Sequence, residues 1–121
     1  MPVIFISITA LFFLGMGVYA LAAPAAVVRP FGIRLQDPAA RYEVRAVYGG
    51  FGVAMAGILV FAATRDDSLR TGILVTVAVA LAGMAVGRAV AAVLEERTSF
   101  YPNWVFFLVE LVGAGLLLAV A

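Results

Sequence analysis

The amino-acid sequence predicts an all-α fold: an integral membrane bundle of four transmembrane helices. Of the 121 residues, 65% are hydrophobic and only 12% are charged, whereas a soluble domain is about 45–50% apolar and about 25% charged. A soluble chain of this length has too much surface to hide so many apolar side chains. Four apolar segments each approach the roughly 20 residues that a helix needs to cross a bilayer, and none alternates as a strand does.

The composition also excludes several classes of function. The apolar content excludes a soluble enzyme and a disordered chain, and a net charge of +1 without a basic cluster excludes a nucleic-acid binder. The chain contains no Cys, His or Lys, which removes the usual residues for disulfides, zinc sites, haem ligation and Schiff bases. We therefore expect no metal, no cofactor and no catalytic residue, and an enzyme is the least favoured class.

The first predicted helix spans residues 3–23 and contains no charge. Its end, over residues 20–23, resembles the small-residue cleavage site of a signal peptide. However, no basic residue precedes the apolar run, and the run is longer than the apolar region of a usual signal peptide. We therefore expect a retained helix.

Local chemistry bounds the other three helices. Asp37 before Pro38 is typical of an N-cap followed by proline at the first helical position. The stretch from Asp66 to Ser68 places negative charge and a cap where the dipole of the next helix favours them. Pro102 marks the start of the last helix. Over one transmembrane domain of residues 1–121, the predicted helices span residues 3–23, 38–63, 69–94 and 102–121.

Four crossings place the loops over residues 24–37 and 95–103 at one end of the bundle and the turn over residues 64–71 at the other. All four Tyr, the only Trp and six of the eight Arg belong to the first end, which we call the aromatic end: Tyr19, Tyr42, Tyr48, Tyr101, Trp104, Arg29, Arg34, Arg41, Arg45, Arg88 and Arg97. A simple anchor carries aromatic belts at both interfaces, so the asymmetry favours a functional site. The arginine count favours a cytoplasmic aromatic end with both termini outside.

Arg88 and Glu110 are charged residues inside the third and fourth predicted helices. Arg88 lies six residues before Leu94, and Glu110 lies six residues after Trp104, so both lie roughly 9 Å inside the aromatic end. A charge in hydrocarbon costs several kcal/mol and is rare unless it is paired or faces water. We therefore predict that Arg88 pairs with Glu110. The pair is either a structural link in the bundle or the polar part of a ligand site.

Two faces of the second predicted helix carry small residues. One face is polar at the top and small below: Arg41, Arg45, Tyr48, Gly49, Gly52 and Ala56. The other face is nearly as small: Glu43, Val47, Gly50, Ala54 and Gly57. Small residues allow close contact between helices in membranes, so we expect this helix to be central and packed on both sides. On the third helix, Gly83 and Gly87 form a GxxxG pattern, which is typical of internal packing or of a homo-oligomer.

The number of polar groups near the aromatic end exceeds what one structural ion pair requires, which favours a ligand cavity. The predicted ligand-binding residues are Glu43, Arg45, Tyr48, Arg88 and Glu110. Arg45 and Arg88 would meet an anionic or polar head and Tyr48 would hydrogen-bond it, while a Gly/Ala-lined groove takes the tail. We expect a cavity open to one membrane face that binds a membrane lipid or another amphiphile. The alternatives are a small proton-coupled transporter and an accessory subunit of a larger membrane complex.

These residues also resemble a known group of proteins. The runs EVR at 43–45 and YGG at 48–50, followed by a Gly/Ala-rich helix with Arg88 and a helix with Glu110, resemble a domain-of-unknown-function family of small bacterial four-helix membrane proteins, loosely akin to DoxX-like proteins. The resemblance covers nearly the whole chain. It implies a bundle in the bacterial inner membrane in which these elements matter, and it implies no activity. Small multidrug transporters and membrane glutathione-using enzymes fit the residues less well.

Overall fold

The computed structural model describes residues 1–121, and all of its regular elements are helical. The helices are α1 (Pro2–Ala22), α2 (Pro24–Val28), α3 (Pro38–Ala63), α4 (Ser68–Leu94) and α5 (Asn103–Val120). All except α2 are long and apolar enough to cross a membrane, by length and composition. The predicted four-helix, all-α architecture is therefore confirmed, with each long helix bounded within one residue of its predicted ends.

The loop between α1 and α3 has a structure that the sequence analysis did not predict. It contains the short helix α2 and a 3₁₀ turn over Arg29–Phe31, which ends at Gly32 in the left-handed conformation with φ of 77°. Pro24 begins α2 at a position where its missing N–H costs nothing. Val27 and Val28 of α2 are buried against Ala20 of α1 and Val44 of α3, so α2 covers the aromatic ends of these two helices.

The four long helices form two closely packed pairs. Helix α1 packs along α3, and α4 packs along α5, while the contacts between the two pairs are sparser. Contacts between α3 and α4 are concentrated in the lower part of α3, from Phe51 onwards, near the connecting turn. The two pairs are therefore held together best at the end that carries the turn, which we call the turn end.

Glycines allow α1 and α3 to cross at backbone contact. A Cβ atom on Gly52 would lie 2.9 Å from the Gly17 Cα and 2.9 Å from the Phe13 carbonyl oxygen. A Cβ on Gly17 would lie 2.8 Å from the Gly49 carbonyl oxygen. These separations are too short for any side chain, so the predicted small face containing Gly49, Gly52 and Ala56 is indeed a packing face, and all three residues are buried.

The second small face of α3 is not a packing face. Its residues are all exposed: Glu43, Val47, Gly50, Ala54 and Gly57. The expectation of a central helix packed on both sides is therefore wrong, because α1 takes one face and α4 touches only the lower part of the helix. Gly83 and Gly87 are likewise exposed, with open space where a Cβ would lie, so their GxxxG pattern does not serve internal packing.

The main hydrophobic core fills the turn end. Ile6, Leu59, Leu74 and Leu117, one from each long helix, are fully buried there. The Thr71 hydroxyl donates a hydrogen bond to the Ala121 carbonyl oxygen at 3.2 Å, which ties the start of α4 to the end of α5. The bundle is therefore closed at this end.

The predicted caps of α3 and α4 are at the right positions but make no capping hydrogen bond. Asp37 and Asp67 are the N-cap residues, and neither side chain bonds its own helix. Asp67 instead accepts a hydrogen bond from Arg65 at 2.6 Å across the exposed turn. This contact lowers the pKa of the Asp67 carboxyl, so the ion pair is formed at neutral pH.

Candidate functional site

A π-helical segment interrupts α3 at the aromatic end. It spans Arg45–Gly50, between α-helical residues on either side. A π segment accommodates an extra residue in the helix and is frequent at functional sites. In this protein it lies where Tyr48 contributes to a cavity wall while Gly49, one residue on, packs against Leu21 of α1. The sequence predicts an ordinary helix here, and the Gly49-Gly50 pair is the main local feature that departs from good helix formers.

Arg88 and Glu110 form the predicted pair with two-point geometry. Arg88 Nε donates to Glu110 Oε1 at 2.8 Å, and Nη2 donates to Oε2 at 3.0 Å. The third guanidinium nitrogen, Nη1, lies 3.4 Å from Asn103 Oδ1. The Glu110 side chain is 2% exposed and that of Arg88 is 22% exposed. Two parallel charge-assisted hydrogen bonds fix both orientation and charge, so the carboxylate is neutralised by a partner that still reaches a solvent-accessible space.

Two aromatic rings lie against the Arg88 guanidinium. The centroids of Phe31 and Phe106 lie 5.6 Å and 5.7 Å from its central carbon, within the range of a cation–π contact. The two rings also touch each other, with centroids 5.6 Å apart. Phe106 stands one helical turn before Glu110, a spacing that could have identified it, whereas Phe31 comes from the 3₁₀ turn and gave no sequence signal.

A cavity of about 620 Å³ adjoins this ion pair, between the two helix pairs. Fourteen of its 17 lining residues are hydrophobic. The lining residues are Phe12, Phe13, Met16, Val27, Val28, Phe31, Ile33, Ala46, Val47, Tyr48, Phe51, Gly52, Leu81, Met84, Arg88, Phe106 and Glu110. The cavity is therefore apolar over most of its wall, and its side-chain hydrogen-bonding groups belong to Tyr48, Arg88 and Glu110.

The walls of the cavity differ in exposure. Towards the turn end its lining includes Phe13 and Leu81 of the packed core, and towards the aromatic end it includes the buried residues of α2. On the side between α3 and α4, its lining residues Val47, Phe51 and Met84 are 51%, 46% and 44% exposed. The cavity is thus accessible at the gap between α3 and α4 and also beside the loop after α2, where the lining residue Ile33 is 47% exposed.

The structure brings together three of the five predicted ligand-binding residues. Tyr48, Arg88 and Glu110 line the cavity, whereas Glu43 and Arg45 do not. Arg45 Nε instead donates to the Leu21 carbonyl oxygen at 2.9 Å, where a cation is favourable because the carbonyls at a helix C-terminus carry partial negative charge. Glu43 is exposed and makes no side-chain hydrogen bond. A helical face drawn from sequence places Arg45 beside Tyr48, whereas the π segment that begins at Arg45 changes the register between them.

The donor and acceptor inventory of the site limits its chemistry. Both carboxylate oxygens of Glu110 are engaged by Arg88. The Tyr48 hydroxyl has no hydrogen-bond partner within the protein, and the side chain is 40% exposed. Each terminal nitrogen of a guanidinium carries two N–H groups, so Arg88 keeps donors that the pair does not use. The site therefore offers hydrogen-bond donors beside an apolar chamber and carries no net charge.

Comparison with known proteins identifies the family. Residues 3–121 match the family described as Domain of unknown function (DUF4345). The chain belongs to this family. The resemblance to a family of unknown function, inferred from the Glu/Arg/Tyr-Gly-Gly element and the embedded pair, is thereby confirmed, while the likeness to DoxX-like proteins and the bacterial origin stay predictions. No curated protein and no solved structure matches this DUF4345 chain, so its function is argued from the site.

Proposed function

We propose that this DUF4345 protein is a multi-pass integral membrane protein that binds a membrane lipid or another amphiphile. The observation that carries the proposal is the cavity itself. It combines a mostly apolar wall with the hydrogen-bonding groups of Tyr48 and Arg88. Its volume falls within the usual range for small-molecule sites, about 300–1,000 Å³. A chamber of this kind suits a ligand with one polar end and an apolar body.

The outer surface of the bundle supports insertion in a bilayer. Large hydrophobic side chains are exposed along every long helix, including Leu11 at 68%, Val60 at 59%, Val79 at 63% and Val112 at 58%. Together they form an apolar belt, whereas soluble monomers rarely expose contiguous apolar patches larger than a few hundred Å². In hydrocarbon, exposure of these side chains carries no free-energy cost. The backbone N–H and C=O groups of each helix are hydrogen-bonded within that helix.

The position of the opening supports entry from the membrane. Five of the seven exposed lining residues stand on α3 and α4, and the other two, Phe31 and Ile33, stand on the loop after α2. Beside the expected opening to one membrane face, the arrangement of the walls favours a lateral opening between α3 and α4. A lipid molecule in the bilayer would then reach the cavity without first leaving the membrane.

The packed core supports binding in preference to passage through the bundle. Between the cavity and the turn end, the space is filled by side chains from all four long helices, with Leu59, Leu74 and Leu117 fully buried. A path for a transported molecule would require these side chains to separate. The observations therefore favour the amphiphile-binding function over the proton-coupled transporter.

Two matched substitutions on α3 test the proposal. Ala46 and Ala54 are both exposed, but only Ala46 lines the cavity. Native mass spectrometry and lipid extraction of the purified protein are expected to find a bound amphiphile in the wild type and in Ala54→Phe. The Ala46→Phe variant is expected to lose it, because the new ring fills the chamber. A wild-type protein free of amphiphile under mild detergent would refute the function.

A further inference from the structure

We infer that the ligand has an uncharged head that accepts hydrogen bonds, such as the carbonyl of an ester or a quinone, and that an anionic head is disfavoured. The inference rests on the proposed amphiphile-binding function and names the ligand class for the same cavity. It revises the expectation from sequence, which allowed an anionic head to meet two arginines. Three features of the site carry it: its charge balance, its free donors and the direction from which Arg88 can be approached.

The charge balance of the cavity disfavours an anion. Arg88 is the only cation that lines it, and both of its bonds to Glu110 are short and parallel. Glu110 is 2% exposed, so its carboxylate stays beside any group that approaches Arg88. A second negative charge would face this carboxylate in a desolvated site, and juxtaposed like charges cost several kcal/mol. Arg45 offers no compensation, since it is bonded to the Leu21 carbonyl oxygen.

The free polar groups of the cavity supply unused donors. The Tyr48 hydroxyl is unpartnered, and Arg88 retains N–H groups on its terminal nitrogens beyond those directed to Glu110 and Asn103. Each carboxylate oxygen of Glu110 already accepts one hydrogen bond from Arg88. An acceptor such as a carbonyl oxygen satisfies the unused donors without adding charge.

The rings around Arg88 restrict how a head group can approach. Phe31 and Phe106 lie near the guanidinium at centroid distances of 5.6 Å and 5.7 Å, and Glu110 occupies the edge formed by Nε and Nη2. The remaining edge, between Nη1 and Nη2, carries only N–H groups, and Asn103 Oδ1 already lies 3.4 Å from Nη1. This edge suits a single carbonyl oxygen in the guanidinium plane better than a bulky tetrahedral phosphate, which Arg would otherwise bind with two points of contact.

A matched pair of lipids tests the inference. The purified wild-type protein, stripped of co-purified amphiphile, is mixed with equal amounts of 1,2-dioleoylglycerol and dioleoyl phosphatidic acid, which share their acyl chains and differ only in the phosphate. Native mass spectrometry is expected to show at least about tenfold more bound diacylglycerol. Decylubiquinone in a parallel arm distinguishes an ester carbonyl from a quinone carbonyl, and binding of either supports the inference. Equal or preferred binding of phosphatidic acid overturns the inference but leaves the amphiphile function intact, whereas binding of none of the three overturns the function itself.

A charge variant sharpens the test. Glu110→Gln keeps the shape of the side chain and one acceptor oxygen but leaves the Arg88 charge unopposed. The ratio of bound phosphatidic acid to diacylglycerol is expected to rise by about tenfold or more, because the repelling charge has gone. Glu96→Gln, at an exposed position outside the cavity, is the control and is expected to leave the ratio unchanged. An unchanged ratio in a folded Glu110→Gln protein contradicts the inference, and if that variant does not fold, the wild-type ratio decides.

Discussion

Arg88 and Glu110 make the only ion pair inside the bundle, since the other ion pair joins exposed side chains in the turn. Burying two charges is expensive, and an ion pair in a low-dielectric interior roughly breaks even against well-packed apolar side chains. The ion pair is therefore expected to add little to the free energy of unfolding relative to apolar side chains at the same positions. Its position at the edge of the cavity, with donors left over, is better explained by a ligand.

Substituting Arg88 alone, or Arg88 and Glu110 together, separates a stabilising role of the ion pair from a ligand-binding role. Arg88→Met leaves the Glu110 carboxylate buried and unpaired, so we expect a loss of about 3–5 kcal/mol in unfolding free energy. The double variant Arg88→Met with Glu110→Leu removes both charges and is expected to recover most of that stability while still failing to bind amphiphile. Denaturation in detergent micelles measures the first effect, and native mass spectrometry measures the second. Full binding by the double variant would show that the pair is purely structural.

The Tyr48 hydroxyl is predicted to hydrogen-bond the ligand and to contribute nothing to the stability of the fold. Its hydroxyl has no partner within the protein, so Tyr48→Phe removes nothing that holds the fold. We expect diacylglycerol affinity to fall by up to about tenfold, the net value of one hydrogen bond, with an unchanged unfolding midpoint. Tyr42→Phe is the matched control, because Tyr42 is 75% exposed and lies outside the cavity. Equal diacylglycerol affinities of the wild type and Tyr48→Phe would show that the hydroxyl does not bond the ligand.

At the scale of elements, α1 and α3 are locked together and α3 and α4 are not. The backbone contact at Gly17 and Gly52 fixes the first pair. The π segment then carries Tyr48 at the cavity wall, while Arg45 ties its own end of α3 to the end of α1. The cavity exists because the upper part of α3 follows α1 and leaves a gap to α4.

The crossing of α1 and α3 is expected to tolerate no side chain. Gly52→Ala places a methyl group 2.9 Å from backbone atoms of α1, which cannot move without separating the helices, so we expect a loss of about 1–3 kcal/mol. Gly57→Ala on the same helix meets no atom within 4 Å and is expected to be neutral or to stabilise by up to about 1 kcal/mol, because alanine is the better helix former. Thermal unfolding in detergent compares the two. Equal midpoints would contradict close packing at the crossing.

At the scale of the whole molecule, the chain is asymmetric from end to end. The turn end is closed by the core, and the aromatic end carries the cavity, the ion pair and the cover made by α2. The arginine count favours a cytoplasmic aromatic end. We retain as predictions that both termini lie outside and that the membrane is the bacterial inner membrane.

Cysteine labelling tests this orientation, since the chain contains no cysteine of its own. Single variants Asp66→Cys and Ala121→Cys place a thiol at the turn end, and Gln36→Cys places one in the exposed loop at the aromatic end. In intact cells, a membrane-impermeant maleimide is expected to label the first two and spare the third. Labelling of Gln36→Cys alone would show the opposite orientation in the membrane. Labelling of all three variants would contradict membrane insertion.

Much of this arrangement follows from the sequence, because its signals are local or depend only on helix length. Apolar run lengths and the Asp37-Pro38 start bound the helices, and the equal depth of Arg88 and Glu110 follows from their spacing to the helix ends. These features need no knowledge of which helix lies next to which.

The remaining features depend on tertiary contacts. The two small faces of α3 are nearly identical in composition, so only the position of α1 decides that Gly52 is buried and Gly57 exposed. The π segment is not favoured by its own residues over an ordinary helix. Phe31 reaches Arg88 from a loop 57 positions earlier in the chain, and no periodicity connects them. The sequence therefore predicts Glu43 and Arg45 in the site, although neither lines the cavity.

We propose that the cavity beside Arg88 holds an amphiphile. A structure of the wild-type protein determined in lipid nanodiscs tests it most directly. We predict elongated density in the chamber, with its polar end within hydrogen-bonding distance of Tyr48 and Arg88 and its apolar end towards the gap between α3 and α4. A chamber that is filled by its own side chains, with α3 packed against α4 along its whole length, would contradict the claim.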